Sequence, residues 1–91
     1  MDEELRERTE NEMRMMKKVF DTLGTDQENQ IAVAFFDMAS NYFKDGGFFL
    51  QKKDYIRAFE TLTISWSYID AGIKAGFFSV SADLKKYFTN G

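Results

Sequence analysis

Apolar residues recur along this chain at the three- and four-residue intervals that place side chains on one face of an α-helix. The first such run ends at Gly24, a residue type that commonly terminates helices. Its acidic opening turns suit the positive end of a helix dipole. The pattern predicts a first helix over residues 2–23, whose apolar positions are Met13, Met16, Phe20 and Leu23.

The second segment has the broadest apolar face in the chain. Thr25 and Glu28 are spaced as a capping box, which predicts a helix over residues 26–52. Its apolar residues form two stripes about 100° apart. The first stripe contains Ile31, Phe35, Met38, Tyr42 and Phe49, and the second contains Ala32, Phe36, Ala39, Phe43 and Leu50. So broad a face indicates a central helix, or a helix that contacts both its own bundle and another subunit.

The third segment supports two interpretations. Asp54 is placed to cap a helix over residues 55–75, and the apolar spacing there is that of a bundle seam. Residues 61–68 alternate polar and apolar side chains, as a half-buried strand does. No second alternating segment exists to pair with such a strand, and the helical seam extends beyond it at both ends. The helix is therefore favoured.

Beyond the third helix the chain has one further short element. Gly76 ends the third helix, and Ser81 can cap a short helix over residues 81–89. We expect this tail to fold back over an open edge of the bundle. The sequence thus predicts an all-α chain of three main helices with a short C-terminal helix or tail. Its 91 residues suffice for one domain, 1–91, and are too few for two.

The composition excludes several kinds of chemistry. The chain contains no Cys and no His, so it lacks thiolate nucleophiles, the commonest general base and the commonest metal ligands. It has no phosphate-binding glycine loop, zinc pattern or calcium loop. We therefore expect no enzymatic activity, no catalytic residue, no cofactor and no metal ion.

The charge pattern bears on partners and location. The net charge is −3, and Lys and Arg are spread along the chain, so we expect no nucleic-acid partner. The acidic, helical N-terminus does not resemble a secretory signal, and no stretch of about 18 apolar residues could cross a membrane. We expect a cytoplasmic protein.

Six residues in or beside the second and third helices are candidates for a surface or pocket: Tyr42, Asp45, Gly46, Asp54, Arg57 and Asp70. Asp45 follows Tyr42 in the apolar stripe, where a carboxylate needs a partner. In an antiparallel hairpin Asp45 would lie roughly opposite Thr61 and within reach of Arg57. An inter-helix hydrogen bond or ion pair is favoured over a ligand-binding acid. Asp54 and Arg57 are most simply a surface pair on the first turn of the third helix.

Two further features of these helices have a structural and a functional interpretation. Gly46 and Gly47 indicate a kink or close helix packing, and a notch for a ligand is the alternative. Asp70 lies beside the third helix's seam. With Asp37 and Asn41 it could offer oxygen ligands to Mg²⁺, although acids at helical spacing usually form a solvated face.

The aromatic content, ten Phe, four Tyr and one Trp, says most about function. Three adjacent pairs of Phe, at 35–36, 48–49 and 77–78, are hard for a three-helix core to cover completely. An exposed aromatic surface would favour a non-enzymatic interaction module that forms a homodimer or docks on another protein. The alternative is a regulatory domain that binds a small molecule or nucleotide in a pocket between the second and third helices, near Asp45, Gly46 and Arg57.

Three stretches carry a family resemblance: residues 42–45 (YFKD), 49–59 (FLQKKDYIRAF) and 69–72 (IDAG). They resemble a small archaeal family known as domain of unknown function 357. The resemblance implies an up-and-down bundle of three helices, which supports the helical interpretation of residues 61–68. It supplies no activity. The family pattern includes, without giving them a role, Asp45, Asp54, Tyr55, Arg57 and Asp70.

The chain departs from that pattern at two places. Lys53 stands where members often have Gly, so the turn between the second and third helices is expected to differ in geometry. Gly46 and Gly47 replace a better helix-forming pair, so the second helix is expected to bend.

Overall fold

The computed structural model of the chain describes residues 2–88 and consists of three long α-helices and a very small sheet. Helix α1 spans Asp2–Thr22, α2 spans Gln30–Gln51 and α3 spans Tyr55–Lys74. Strands β1 (Gly24–Thr25) and β2 (Phe78–Ser79) pair antiparallel, and a 3-10 helix follows over Ala82–Tyr87. The predicted all-α, up-and-down three-helix bundle is confirmed. No helix in residues 2–88 has the length and apolar character needed to cross a membrane.

The alternating segment at residues 61–68 lies inside α3, so the helical interpretation is confirmed. Three of its four polar side chains fit a helix because they bond to the backbone of α3 itself. The hydroxyls of Thr61 and Thr63 donate to the carbonyls of Arg57 and Phe59, both at 2.8 Å. That of Ser67 donates to the carbonyl of Thr63 at 2.9 Å. The polar positions of the alternating pattern are therefore compatible with a helix, because these hydroxyls donate to its backbone carbonyls.

The predicted start of the second helix at Asp26 is wrong. Helix α2 begins four residues later, at Gln30, and its N-cap is Asn29. The Asn29 side chain accepts hydrogen bonds from the backbone N–H groups of Ile31 at 2.9 Å and Ala32 at 3.2 Å. Asn29 thus satisfies two of the donors that a helix leaves free at its N-terminus.

The predicted capping box does not form because Thr25, its first residue, belongs to the sheet. Thr25 lies in β1 opposite Phe78 of β2. The N–H of Asp26 donates to the carbonyl of Phe77 at 3.0 Å, which extends the same pairing. The sheet ties the loop after α1 to the segment after α3.

Buried small residues lie along both α2 and α3, and those at Ala39, Gly46 and Ser65 lie where the two helices meet. They recur every seven residues and are buried on both helices: Ala32, Ala39 and Gly46 on α2, and Ala58, Ser65 and Gly72 on α3. A Cβ added at Gly46 would lie 2.6 Å from Cδ2 of Leu62 on α3. The buried hydroxyl of Ser65 donates to the carbonyl of Ala39 at 2.7 Å. Of the two structural interpretations of Gly46, close helix packing is the one observed, and α2 continues through it without interruption.

Helices α2 and α3 end in the same way. Beyond each helix one residue has a left-handed backbone, Lys53 with φ of 62° and Gly76 with φ of 82°. The next N–H reaches back to the helix, from Asp54 to the carbonyl of Phe49 at 2.9 Å in the first case. Both are Schellman turns, for which glycine is the favoured residue. Lys53 therefore has a backbone conformation that favours glycine, which destabilises the folded protein.

Helix α1 covers one side of the α2–α3 hairpin. Phe20 packs against Phe36 and Phe43 of α2, with ring centroids 5.9 Å and 4.9 Å apart. Met16 and Val19 of α1 are fully buried. The second apolar stripe of α2 is therefore its inner one.

The chain after β2 folds back over the bundle, as predicted. Leu84 and Phe88 are buried in the same core cluster as Met16 and Val19. The element is a 3-10 helix over Ala82–Tyr87 rather than a helix over 81–89, and residue 89 lies outside the described residues.

The two adjacent glycines of α2 give a matched test of the close packing. Gly46→Ala should lower the free energy of unfolding by about 2 kcal/mol, because the new methyl must displace Leu62 in a packed seam. Gly47→Ala should leave it unchanged or raise it by up to about 1 kcal/mol, since its new methyl meets only the flexible end of Met13 at 3.1 Å and alanine favours the helix. Urea denaturation followed by circular dichroism measures both; equal effects would contradict the packing described.

The turn after α2 gives a second test. Lys53→Gly should raise the free energy of unfolding by about 0.5–1 kcal/mol, because glycine adopts a positive φ without strain. The neighbouring Lys52 has an ordinary helical backbone with φ of −79°, so Lys52→Gly should lower it by about 0.5–1 kcal/mol. Thermal unfolding of the two variants should shift in opposite directions, and a loss of stability in Lys53→Gly would contradict the argument.

Candidate functional site

The side of the α2–α3 hairpin away from α1 carries an open apolar surface, called here the outer face. It is made of the first apolar stripe of α2 and two residues of α3. Ile31 is 58% exposed, Met38 38% and Ile64 39%. These are large apolar side chains left in contact with solvent. The outer face consists of Ile31, Phe35, Met38 and Tyr42 of α2 and Ile64 and Tyr68 of α3.

Aromatic rings order the centre of the outer face. Tyr68 packs edge-on against Phe35 at 5.7 Å and is stacked with Tyr42 at 6.2 Å between centroids. Phe77, which follows α3, packs edge-on against Phe35 at 5.6 Å. A shallow groove of about 230 Å³ runs beside these rings, lined by Phe35, Ile64, Ser67, Tyr68 and Ala71. The face is held in one arrangement by contacts within the chain.

Asp45 does not form the inter-helix pair predicted for it. Its side chain is exposed, and it makes no hydrogen bond or ion pair with any residue in the described range. Gly46, not Asp45, is the residue that faces α3, since a Cβ added there would lie 3.3 Å from Oγ1 of Thr61. One residue along a helix turns the side chain by about 100°, which carries Asp45 out of the seam.

Asp54 and Arg57 form the predicted surface pair at the start of α3. Oδ1 of Asp54 accepts from the backbone N–H of Arg57 at 3.2 Å, which caps the helix. Its Oδ2 lies 3.7 Å from Nε of Arg57, whose guanidinium lies 5.9 Å from the ring centre of Phe49. Asp54 also closes the Schellman turn of α2, so it serves both helices of the hairpin.

The remaining candidate residues do not meet in one pocket. Leu62 fills the space beside Gly46, which leaves no ligand notch there, and Tyr42 is engaged with the outer face. The side chain of Asp70 is only 13% exposed, and Nζ of Lys74 lies 3.0 Å from its Oδ2. Across residues 2–88 no group of three or more acidic side chains is placed to hold a metal ion. The magnesium alternative with Asp37, Asn41 and Asp70, a set of two carboxylates and one amide, stays a prediction.

The groove between α1 and α3 holds the C-terminal 3-10 helix. The sequence predicted that the tail covers an edge of the bundle, but not which edge. Nε1 of Trp66 donates to the backbone carbonyl of Tyr87 at 2.8 Å. The indole ring of Trp66 stacks on Phe88, with centroids 5.7 Å apart and planes 4° from parallel. Trp66 is thus the docking point for the tail.

Beside the docked tail lies a cleft that the sequence did not predict. Its volume is about 340 Å³, and its lining combines one carboxylate with a thioether, a hydroxyl and three aromatic rings: Glu12, Met15, Phe59, Thr63, Trp66 and Tyr87. Burial raises the pKa of Glu12, and the nearby charge of Arg8 partly opposes that rise. Glu12 precedes Met16 and Val19 by four and seven residues, so the helical period already places it in line with the core.

Because the pKa of Glu12 is raised, we expect the protein to lose stability as pH rises through that pKa. Below the pKa of an unfolded glutamate, Glu12 is protonated in both states, and Glu12→Gln should change stability little. As pH rises from there through the raised pKa of Glu12, the unfolded chain ionises first, so wild type loses stability that Glu12→Gln retains. Urea denaturation from about pH 4 to pH 8 measures the divergence.

The matched control is Glu7→Gln, an exposed position on the same helix, whose pH dependence should follow that of wild type. A Glu12→Gln variant less stable than wild type at neutral pH would contradict the burial argument.

Comparison with known proteins places this fold in a family. Residues 7–78 match the model of DUF357, described as a protein of unknown function. The crystal structure of protein AF1782 from Archaeoglobus fulgidus, assigned to the same family, superposes with a TM-score of 0.75 at 25% sequence identity, covering 88% of this chain and 97% of that one. No curated protein sequence matches. The match begins in α1 and ends in β2, and the chain belongs to the DUF357 family.

Proposed function

We propose that this protein is a non-enzymatic helical interaction module that forms a homodimer through the outer face of its α2–α3 hairpin. The observation that carries the proposal is the exposure of Ile31, Met38 and Ile64 on one side of the α2–α3 hairpin. Soluble monomers seldom leave large apolar side chains together in solvent without a use for them.

The size of the outer face fits a dimer interface. Ile31, Met38 and Ile64 are 58%, 38% and 39% exposed, and the other three side chains of the face are half-buried. A standard interface buries about 800 Å² per partner, of which about 57% is apolar. A dimer of standard size would therefore bury the outer face together with a rim of neighbouring polar residues.

The shape and charge of the outer face favour a second copy of this chain. Helices α2 and α3 run side by side for 22 and 20 residues, so two such faces related by a two-fold axis can pack as four helices. The face has no charged residue at its centre. Asp45 and Arg57 place opposite charges at one end, which lets two copies approach without net repulsion. The ring contacts of Tyr68 fix the face in advance and lower the entropy cost of association.

A charge placed in the centre of the outer face tests the proposal. Light scattering should give the wild type a mass near twice 10.6 kDa. Ile64→Glu should weaken the dimer at least about 100-fold, because a buried unpaired carboxylate costs about 3 kcal/mol or more. The mass of that variant should then fall to that of one chain while circular dichroism shows unchanged helix content.

Ile56→Glu is the matched control. Ile56 lies on the same helix and is 64% exposed, but it lies at the turn end of the hairpin, eight residues before Ile64 and outside the residues of the outer face. Its variant should remain a dimer. A wild type that stays monomeric at high concentration would overturn the proposal, as would dimers of equal stability in the two variants.

A further inference from the structure

The cleft beside the docked tail lies on a different side of the bundle from the outer face and leads to a separate inference. We propose that this cleft binds a methylated ammonium group, the head of a small organic cation. The site is formed by rings on two elements and by a carboxylate on a third: Phe59 and Trp66 of α3, Tyr87 of the 3-10 helix and Glu12 of α1.

The walls of the cleft suit a cation that carries methyl groups. Its volume of about 340 Å³ falls within the range of about 300–1,000 Å³ typical of small-molecule sites. Phe59, Trp66 and Tyr87 offer ring surfaces, and Met15 adds a polarizable side chain. Such walls cannot replace the water shell of a metal ion or of a bare ammonium. A methylated ammonium is weakly hydrated, and it gains from contact with ring faces, as in aromatic cages.

The charge in the cleft has the sign that a cation requires. Glu12 is half-buried, and within residues 2–88 its carboxylate has no hydrogen bond and no ion pair closer than 4 Å. A half-buried carboxylate in that position is incompletely solvated, so an arriving cation stabilises it.

The same rings already attract cations of the chain itself. The guanidinium of Arg8 lies 5.8 Å from the ring centre of Phe59, and the ammonium of Lys86 lies 5.3 Å from that of Tyr87. These contacts show that the rings of Phe59 and Tyr87 already lie within range of a positive charge. Arg8 also lies close enough to influence Glu12, so it competes with an external cation for the site.

Choline is the probe, and Trp66, the single tryptophan of the chain, is the reporter. Titration with choline chloride should change the fluorescence of Trp66 saturably, with a Kd on the order of 1–10 mM. The uncharged isostere 3,3-dimethyl-1-butanol should bind at least about 10-fold more weakly, because it has the shape without the charge. Potassium chloride at equal ionic strength should have no saturable effect.

Nε-trimethyl-lysine, added in a parallel titration, distinguishes two sources of the group. Tighter binding of choline would identify a free small cation as the ligand. Tighter binding of trimethyl-lysine would identify a modified side chain. Either order supports the proposed chemistry, whereas equal binding of choline and its uncharged isostere overturns it.

Three substitutions on α1 separate a charged site from an apolar cleft. Glu12→Gln should weaken choline binding at least about 10-fold, and Arg8→Gln should strengthen it by removing the competing cation. Glu7→Gln, exposed and outside the cleft, should leave it unchanged. Unaltered choline binding in Glu12→Gln would overturn the proposal, as would a wild type with no saturable response.

Folding and oligomeric state are controlled separately. Because burial disfavours the charge of Glu12, the Glu12→Gln variant should fold at least as well as wild type, which circular dichroism checks. The titration is repeated with Ile64→Glu, so the cleft is tested whether or not the outer face forms a dimer.

Discussion

The close contact between α2 and α3 is the constraint on which the rest of the structure depends. The two helices meet at Ala39 and Gly46 of α2, which are seven residues apart, and the methyl groups of Leu62 lie where a side chain at Gly46 would have to be. The buried hydrogen bond from Ser65 to the carbonyl of Ala39 fixes the register of this contact. A helix whose seam is built of alanine and glycine cannot bury its aromatic residues there, because the backbones leave no room for them.

The aromatic residues of α2 are therefore displaced to the two sides of the seam. On one side Phe36 and Phe43 contact Phe20, and α1 covers them. On the other side Phe35 and Tyr42 contact Tyr68, Phe77 packs against Phe35, and the group stays half-buried at the surface. The outer face is thus the geometric counterpart of the tight seam: the same small residues that let two helices approach leave a row of large side chains beside them.

Local patterns in the sequence predicted most of the fold and little of the site. Helical periodicity is a property of neighbouring residues, so the three helices followed from it, including the segment with strand-like alternation. The start of α2 did not, because Thr25 pairs with Phe78, which is distant in sequence. The prediction placed Asp45 in the seam, but the residue that lies there is its neighbour Gly46, and Asp45 is exposed to solvent. The position of Glu12 beside the core could have been predicted from the sequence, since its spacing to Met16 and Val19 is that of a core position.

The tail is docked by atoms that do not depend on the side chain at position 87. Trp66 bonds to the backbone carbonyl there, while Leu84 and Phe88 are the buried anchors. The family match ends at residue 78, before this segment begins. Position 87 can therefore be exchanged for another residue type while the tail keeps its place, so the shape and polarity of the neighbouring cleft are free to diverge without endangering the bundle beneath.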